Sequence, residues 1–181
     1  MKPVLCRAGF FISFNEPIDL MGFGICTNPF MPLRAQPYDS SAMVSSLLFG
    51  ETFQILEARG NWLYVRMTYD SYEGWLFSRE VEQFGSDSPL PEQQTNQFLT
   101  GQPFQGVFNE NTFICLGLGT PLPFFDGKYC FLKTAFYQLK GSALEAAPER
   151  AASTAIAEQL LGTPYLWGGR SSFGIDCSGL T

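Results

Sequence analysis

The sequence predicts a mainly β chain that passes into an α+β segment near its end. Three observations carry that expectation. Short runs of alternating apolar residues recur between turn residues, with 18 Gly and 12 Pro among 181 residues, a pattern that favours short strands over long helices. One Ala-rich stretch, Glu145 to Leu161, has apolar residues at helical spacing. A Gly-rich loop then leads to Asp176 and Cys177.

Residues 1–21 form an N-terminal extension. Its short apolar patch is interrupted by Asn15, Glu16 and Asp19, before the core of an export signal could build. Between residues 22 and 84, Phe53 and Ile55 alternate with polar neighbours, Arg59-Gly60-Asn61 supplies turn chemistry, and Leu63, Val65 and Met67 alternate again. This reads as a β-hairpin. Asp70-Ser71 breaks the run before a further strand at Tyr72 to Phe77, and several strands of this length suit a small closed or half-closed barrel. Residues 85–97 are polar, contain two prolines and lack periodicity, so they are expected to be a linker.

A second small β module is expected over 98–142. Its strand candidates are Thr112 to Leu116 and Tyr129 to Leu132, with Asp126-Gly127 as a hairpin turn between apolar runs. From residue 143 the composition changes. Ile156, Leu160 and Leu161 lie along one side of the expected helix, Gly162 is placed to stop it and Pro164 follows.

Charge and composition exclude several classes of function. The formal net charge is −6, with only 11 basic residues, so no nucleic-acid backbone is an expected partner. No apolar run approaches the roughly 18 residues of a spanning helix, and no membrane insertion is expected. The sequence contains no His, which removes every intrachain Cys/His or Ser/His pair and the imidazole ligands of most zinc sites. Five widely spaced cysteines without a C-x-x-C read as reduced thiols. No metal or cofactor is expected, and a cytoplasmic location is expected, with export as the alternative if the N-terminus is incomplete. Oligomeric state is left open.

A thiol becomes a nucleophile where helical N–H groups stabilise its thiolate, and Asp176-Cys177-Ser178-Gly179-Leu180 reads as a capping carboxylate followed by Cys at a helix start. With Leu161-Gly162-Thr163-Pro164-Tyr165-Leu166-Trp167-Gly168-Gly169 upstream, this segment resembles the NlpC family of cell-wall cysteine peptidases. Four earlier stretches resemble the bacterial SH3-like domain that precedes the catalytic domain in one branch of that family. They are Gly24-Ile25-Cys26, Pro32 to Pro37, Met43 to Glu51 and Tyr72-Glu73-Gly74-Trp75. The resemblance implies two SH3-like β-barrels, 22–84 and 98–142, followed by the N-terminal part of a papain-like catalytic domain at 143–181.

It further implies a cysteine endopeptidase acting on the bond between γ-D-glutamate and the diamino acid of murein peptides that carry a free N-terminal L-Ala. By position, Cys177 is similar to the nucleophile, and Tyr165 to a residue beside the oxyanion hole. Asp176 is similar to the acid that receives the substrate ammonium, and Trp167 and Ser178 to walls of that subsite. Tyr72 is implied to close the site from the first barrel. Gln36 stands where relatives commonly have Glu. The family's base His lies well downstream of Cys177, so the chain is expected to be an incomplete enzyme, inactive alone, whose helix lacks its sheet. Two alternatives are carried: a non-catalytic SH3-like module binding murein peptides or a protein partner in a groove lined by Tyr72 and Trp75, and a split enzyme completed by another chain.

Overall fold

The computed structural model describes residues 22–84, 98–132, 135–146 and 150–180, and the extension and linker expected at 1–21 and 85–97 lie outside them. The chain is mostly β. Strands β1 (Phe23–Cys26), β2 (Phe30–Arg34), β3 (Met43–Leu48), β4 (Thr52–Arg59), β5 (Trp62–Met67), β6 (Glu73–Phe77) and β7 (Val81–Phe84) form one antiparallel sheet. Its order is β3-β2-β6-β5-β4-β1-β7.

The expected hairpin is β4–β5. Arg59 pairs with Trp62 across a two-residue turn in which Gly60 takes φ +58°, a value that glycine adopts without steric cost. Period-two alternation sends Phe53, Ile55, Leu63, Val65 and Met67 to one face, where all are buried. They meet Met31, Leu33, Leu47 and Leu76 in a single core, so the sheet curls over itself. Trp75 is buried too, with Tyr64 packed at 5.1 Å and the Arg59 guanidinium 4.9 Å above its ring. It cannot line an open groove, which corrects that part of the binding-module expectation.

The second β unit comprises β8 (Phe98–Thr100), β9 (Phe104–Phe108), β10 (Phe113–Gly117), β11 (Tyr129–Leu132), β12 (Ala135–Lys140) and β13 (Ala143–Glu145). Four strands form a sheet in the order β10-β9-β12-β11, and β13 pairs with β8. Asp126-Gly127 does turn the chain, with Asp126 Oδ1 accepting from the Lys128 and Tyr129 N–H groups. It folds the apolar run Pro121 to Phe125 back on β11, with Asp126 N–H donating to the Tyr129 carbonyl and Phe131 N–H to the Pro123 carbonyl, whereas the other strand candidate, β10, lies at the opposite edge of the sheet from β11. The local turn chemistry was legible, while the pairing is decided by the other strands.

The two units share a core. Phe49, fully buried in the turn after β3, joins Ile25 of β1 against Val107, Leu116, Leu122, Cys130 and Leu132. Its ring meets Tyr137 edge-on at 5.8 Å. Burial pushes the Cys130 thiol up to about 12, consistent with a cysteine that acts as a small hydrophobe.

Helix α1 (Arg150–Glu158) is shorter than the expected Glu145 to Leu161. At its start, Ala143 to Glu145 are taken by the strand pairing with β8. At its end the hydrogen bonds tighten to i→i−3 from Gln159 to Leu161, and Gly162 takes φ +88°. Leu161 is 82% exposed. Two short strands, β14 (Arg170–Ser171) and β15 (Gly174–Ile175), pair beyond it. No helix among the described residues is long and apolar enough to cross a membrane.

Candidate active site

The turn Phe49-Gly50-Glu51 is a junction between three parts of the molecule. While Phe49 plugs the second core, Glu51 turns the other way and its carboxylate receives Arg170 Nη2, at 2.8 Å and 2.6 Å to the two oxygens. Glu51 Oε2 also accepts the Leu48 N–H at 2.9 Å. The Arg170 guanidinium donates through Nε and Nη2 to the Ser46 carbonyl, at 3.1 Å and 2.9 Å, and lies 5.6 Å from the centre of the Tyr69 ring. Both side chains of the pair are well buried, 17% exposed for Arg170 and 6% for Glu51. Burial pushes the Glu51 carboxyl above the usual carboxylate range, opposed by the Arg170 charge and the Leu48 N–H.

The loop from Pro164 to Leu180 is tied back on itself. Ile175 N–H donates to the Pro164 carbonyl, Leu166 N–H to the Ile175 carbonyl and Asp176 N–H to the Gly169 carbonyl. Gly168 takes φ +74°, and a Cβ there would sit 3.0 Å from the Ser45 nitrogen. Only glycine allows this backbone to pass so close to β3. On the second unit, the Ser172 hydroxyl accepts the Leu118 N–H at 3.0 Å, and the Phe173 ring meets Phe104 at 5.7 Å.

Asp176 organises the turn that carries the thiol. Its Oδ1 accepts from Ser178 N–H, Gly179 N–H and the Ser178 hydroxyl, at 3.0, 2.8 and 2.7 Å, while Oδ2 accepts the Gly168 N–H at 2.8 Å. The Ser178 hydroxyl and the Gly168 and Gly179 N–H groups hold its carboxyl below the usual range. This is the geometry of an N-cap. It closes a single turn, with Leu180 N–H on the Asp176 carbonyl, and no helix is formed among the described residues there. Cys177 is exposed on this turn. Ser178 and Gly179 N–H are committed to Asp176, whereas the Cys177 N–H has no acceptor among the described residues.

The remaining sequence candidates divide into two groups. Tyr165 (69% exposed) and Trp167 (66% exposed) stand out from the same loop, so neither packs beneath α1. Ser178 is exposed but its hydroxyl is turned to Asp176. Tyr72 is half-exposed in the β5–β6 loop, whose Tyr69 faces Arg170. Gln36 is exposed in the β2–β3 loop, where its N–H donates to the Ser41 hydroxyl. Among the described residues, no hydrogen bond, ion pair or ring contact joins Tyr72 or Gln36 to Cys177.

Sequence reasoning assigned no role to Glu51, Arg170 or Ser172. The one signal for Glu51 was a carboxylate directly after the apolar run Leu47-Leu48-Phe49, a place where an acid needs a partner.

Because the Asp176 carboxyl is ionised more readily in the fold than in the unfolded chain, its contribution is present above the ordinary Asp range and fades as pH falls. As pH falls below the ordinary Asp range, the Gly168 and Gly179 amides should lose protection from hydrogen exchange. Asp176→Asn should produce the same loss at neutral pH, which exchange mass spectrometry on peptides spanning 164–180 would check. Equal protection in both proteins at pH 7 would contradict this role for the carboxylate.

Comparison with known proteins bears on the domain and the fold. Residues 33–80 match the bacterial dipeptidyl-peptidase SH3 domain. The chain is 31% identical to dipeptidyl-peptidase 6 of Lysinibacillus sphaericus, over 82% of this chain and 63% of that protein. It is 27% identical to γ-D-glutamyl-L-lysine dipeptidyl-peptidase of Bacillus subtilis (strain 168), over 75% of this chain and 50% of that protein. The chain thus spans between half and two thirds of the length of these relatives. Among solved structures, an NlpC/P60 family protein from Bacillus cereus ATCC 10987 superposes with a TM-score of 0.68 at 17% identity, covering 87% of this chain and 70% of that one. An NlpC/P60 endopeptidase from Photobacterium damselae subsp. piscicida gives 0.67 at 18% identity, covering 92% of this chain and 43% of that one. Residues 33–80 are therefore an SH3 domain of the bacterial dipeptidyl-peptidase type, carried by a chain with the fold of NlpC/P60 family proteins.

Proposed function

We propose that the chain is the SH3-bearing part of a cysteine endopeptidase that cleaves the γ-D-glutamyl–diamino acid bond of murein peptides with a free N-terminal L-Ala. The observation that carries this is the turn capped by Asp176, which presents an exposed thiol beside an N–H that has no acceptor among the described residues. The name of the relative from Bacillus subtilis, γ-D-glutamyl-L-lysine dipeptidyl-peptidase, supports the choice of bond. The Cys177 thiolate attacks the γ-carbonyl carbon, and the Cys177 N–H receives the developing oxyanion. The C–N bond breaks, the diamino acid leaves as a protonated amine, and water hydrolyses the thioester.

The sequence holds no His, so the proton carrier is assigned to the additional length that the relatives have. The exposed Leu161, Tyr165 and Trp167 support further chain packing at this face. Asp176 Oδ1 accepts three hydrogen bonds and Oδ2 only one, and the second lone pair of Oδ2 is assigned to the substrate ammonium. Trp167 and Ser178 are assigned to the walls of that subsite, and Tyr72 to its closure from the first barrel.

The full-length protein should hydrolyse L-Ala-γ-D-Glu-diaminopimelate and leave its N-acetylated form intact, as followed by chromatography of the released dipeptide. Equal rates on both peptides would overturn the ammonium subsite. No cleavage of either would overturn the peptidase reading.

A further inference from the structure

We propose that Arg170 is a positioning residue, a latch that fixes the loop carrying the reactive thiol to the first barrel through Glu51 and the Ser46 carbonyl. The inference rests on the reading of Cys177 as the nucleophile. Arg170 lies seven residues before Cys177 and begins the β14–β15 pair whose far end runs into Asp176. Through Nε and Nη2 its guanidinium is bound to the first barrel, with two donors on the Ser46 carbonyl, two contacts to Glu51 and a face toward Tyr69.

A planar fork held on a carboxylate and a carbonyl together fixes direction as well as distance. Two further features confine the same loop. Gly168 passes against Ser45 of β3, and Ser172 accepts from Leu118 of the second unit. The loop is therefore mounted at points on both β units, and Arg170 is its only charged attachment among the described residues. Glu51 is in turn held by the turn that buries Phe49. On this view the barrels are part of the frame that sets where the thiol points, and they are not a detachable appendage.

The test compares Arg170→Leu with Arg170→Lys, which keeps the charge without the fork. In this chain, amides from Leu166 to Asp176 should exchange about tenfold faster in Arg170→Leu while those of the β4–β5 hairpin are unchanged. Arg170→Lys should recover part of that protection, and Glu51→Gln should behave as Arg170→Leu does. In the full-length protein Arg170→Leu should lower kcat about 100-fold, with KM shifted less than about threefold, and Arg170→Lys should restore part of kcat.

Unchanged loop exchange, or acceleration as large in the hairpin as in the loop, overturns the latch. Accelerated loop exchange with unchanged kcat overturns the positioning role. Hydrolysis that survives in Cys177→Ala and does not respond to Arg170→Leu overturns the nucleophile reading, whereas faster loop exchange in that same protein still supports the latch.

Discussion

Phe49→Ala should destabilise the chain by about 3–5 kcal/mol and separate the unfolding of its two β units. Phe49 belongs by sequence to the first barrel and by packing to the second. Truncating a fully buried ring removes its transfer free energy and leaves a cavity between Val107, Leu116 and Tyr137, which strands of two sheets cannot readily collapse to fill. The three tryptophans of the chain are Trp62, Trp75 and Trp167, so the second unit contains none. Tryptophan emission thus follows the first barrel and the loop, while circular dichroism follows strands in both. Urea titrations of the wild type should give coincident transitions by the two signals, because the units share a core. In Phe49→Ala the circular dichroism midpoint should fall below the emission midpoint. Coincident transitions with a loss under about 1 kcal/mol would show that Phe49 does not couple the units.

The same residue shows what a sequence reveals and what it withholds. Strand alternation at Phe53, Ile55, Leu63, Val65 and Met67 is a local property, since period two sends each side chain to the same face whatever lies beyond it. The β4–β5 hairpin was legible for that reason. Phe49 follows Leu47 and Leu48 in one apolar run, and nothing local says that its ring leaves its own barrel. Asp126-Gly127 was legible as a turn between apolar runs, but that β10 and β11 end at opposite edges of their sheet is a long-range outcome. Likewise Glu145, expected to begin the helix, ends β13 in its pairing with β8, a contact made across more than forty residues. At the candidate site, the spacing of Asp176 and Cys177 announced a cap and a thiol. The structure adds that Asp176 spends most of its acceptor capacity on its own loop. The Glu51–Arg170 pair joins residues more than a hundred positions apart, beyond the reach of any pattern within one segment.

Cys177→Ala should abolish hydrolysis of L-Ala-γ-D-Glu-diaminopimelate in the full-length protein, with kcat falling by about a millionfold, the scale seen when a covalent nucleophile is removed. The argument rests on exclusion as well as placement. Cys26 and Cys130 are buried, Cys115 is partly buried in a strand, and Cys177 alone among the described cysteines is exposed. Asp176 takes the Ser178 and Gly179 N–H groups, while the Cys177 N–H has no acceptor among the described residues, and under the proposed mechanism that N–H is the donor to the oxyanion. An alanine keeps that N–H and removes only the sulfur, so the substitution isolates covalent catalysis from oxyanion binding. Cys177→Ala should therefore still bind the tripeptide in a calorimetric titration while releasing no dipeptide. Iodoacetamide should modify residue 177 of the wild type ahead of the buried thiols, and the loss of activity should track that modification. Turnover by Cys177→Ala above about one thousandth of the wild-type rate would remove Cys177 from the reaction and return the loop to a purely structural role.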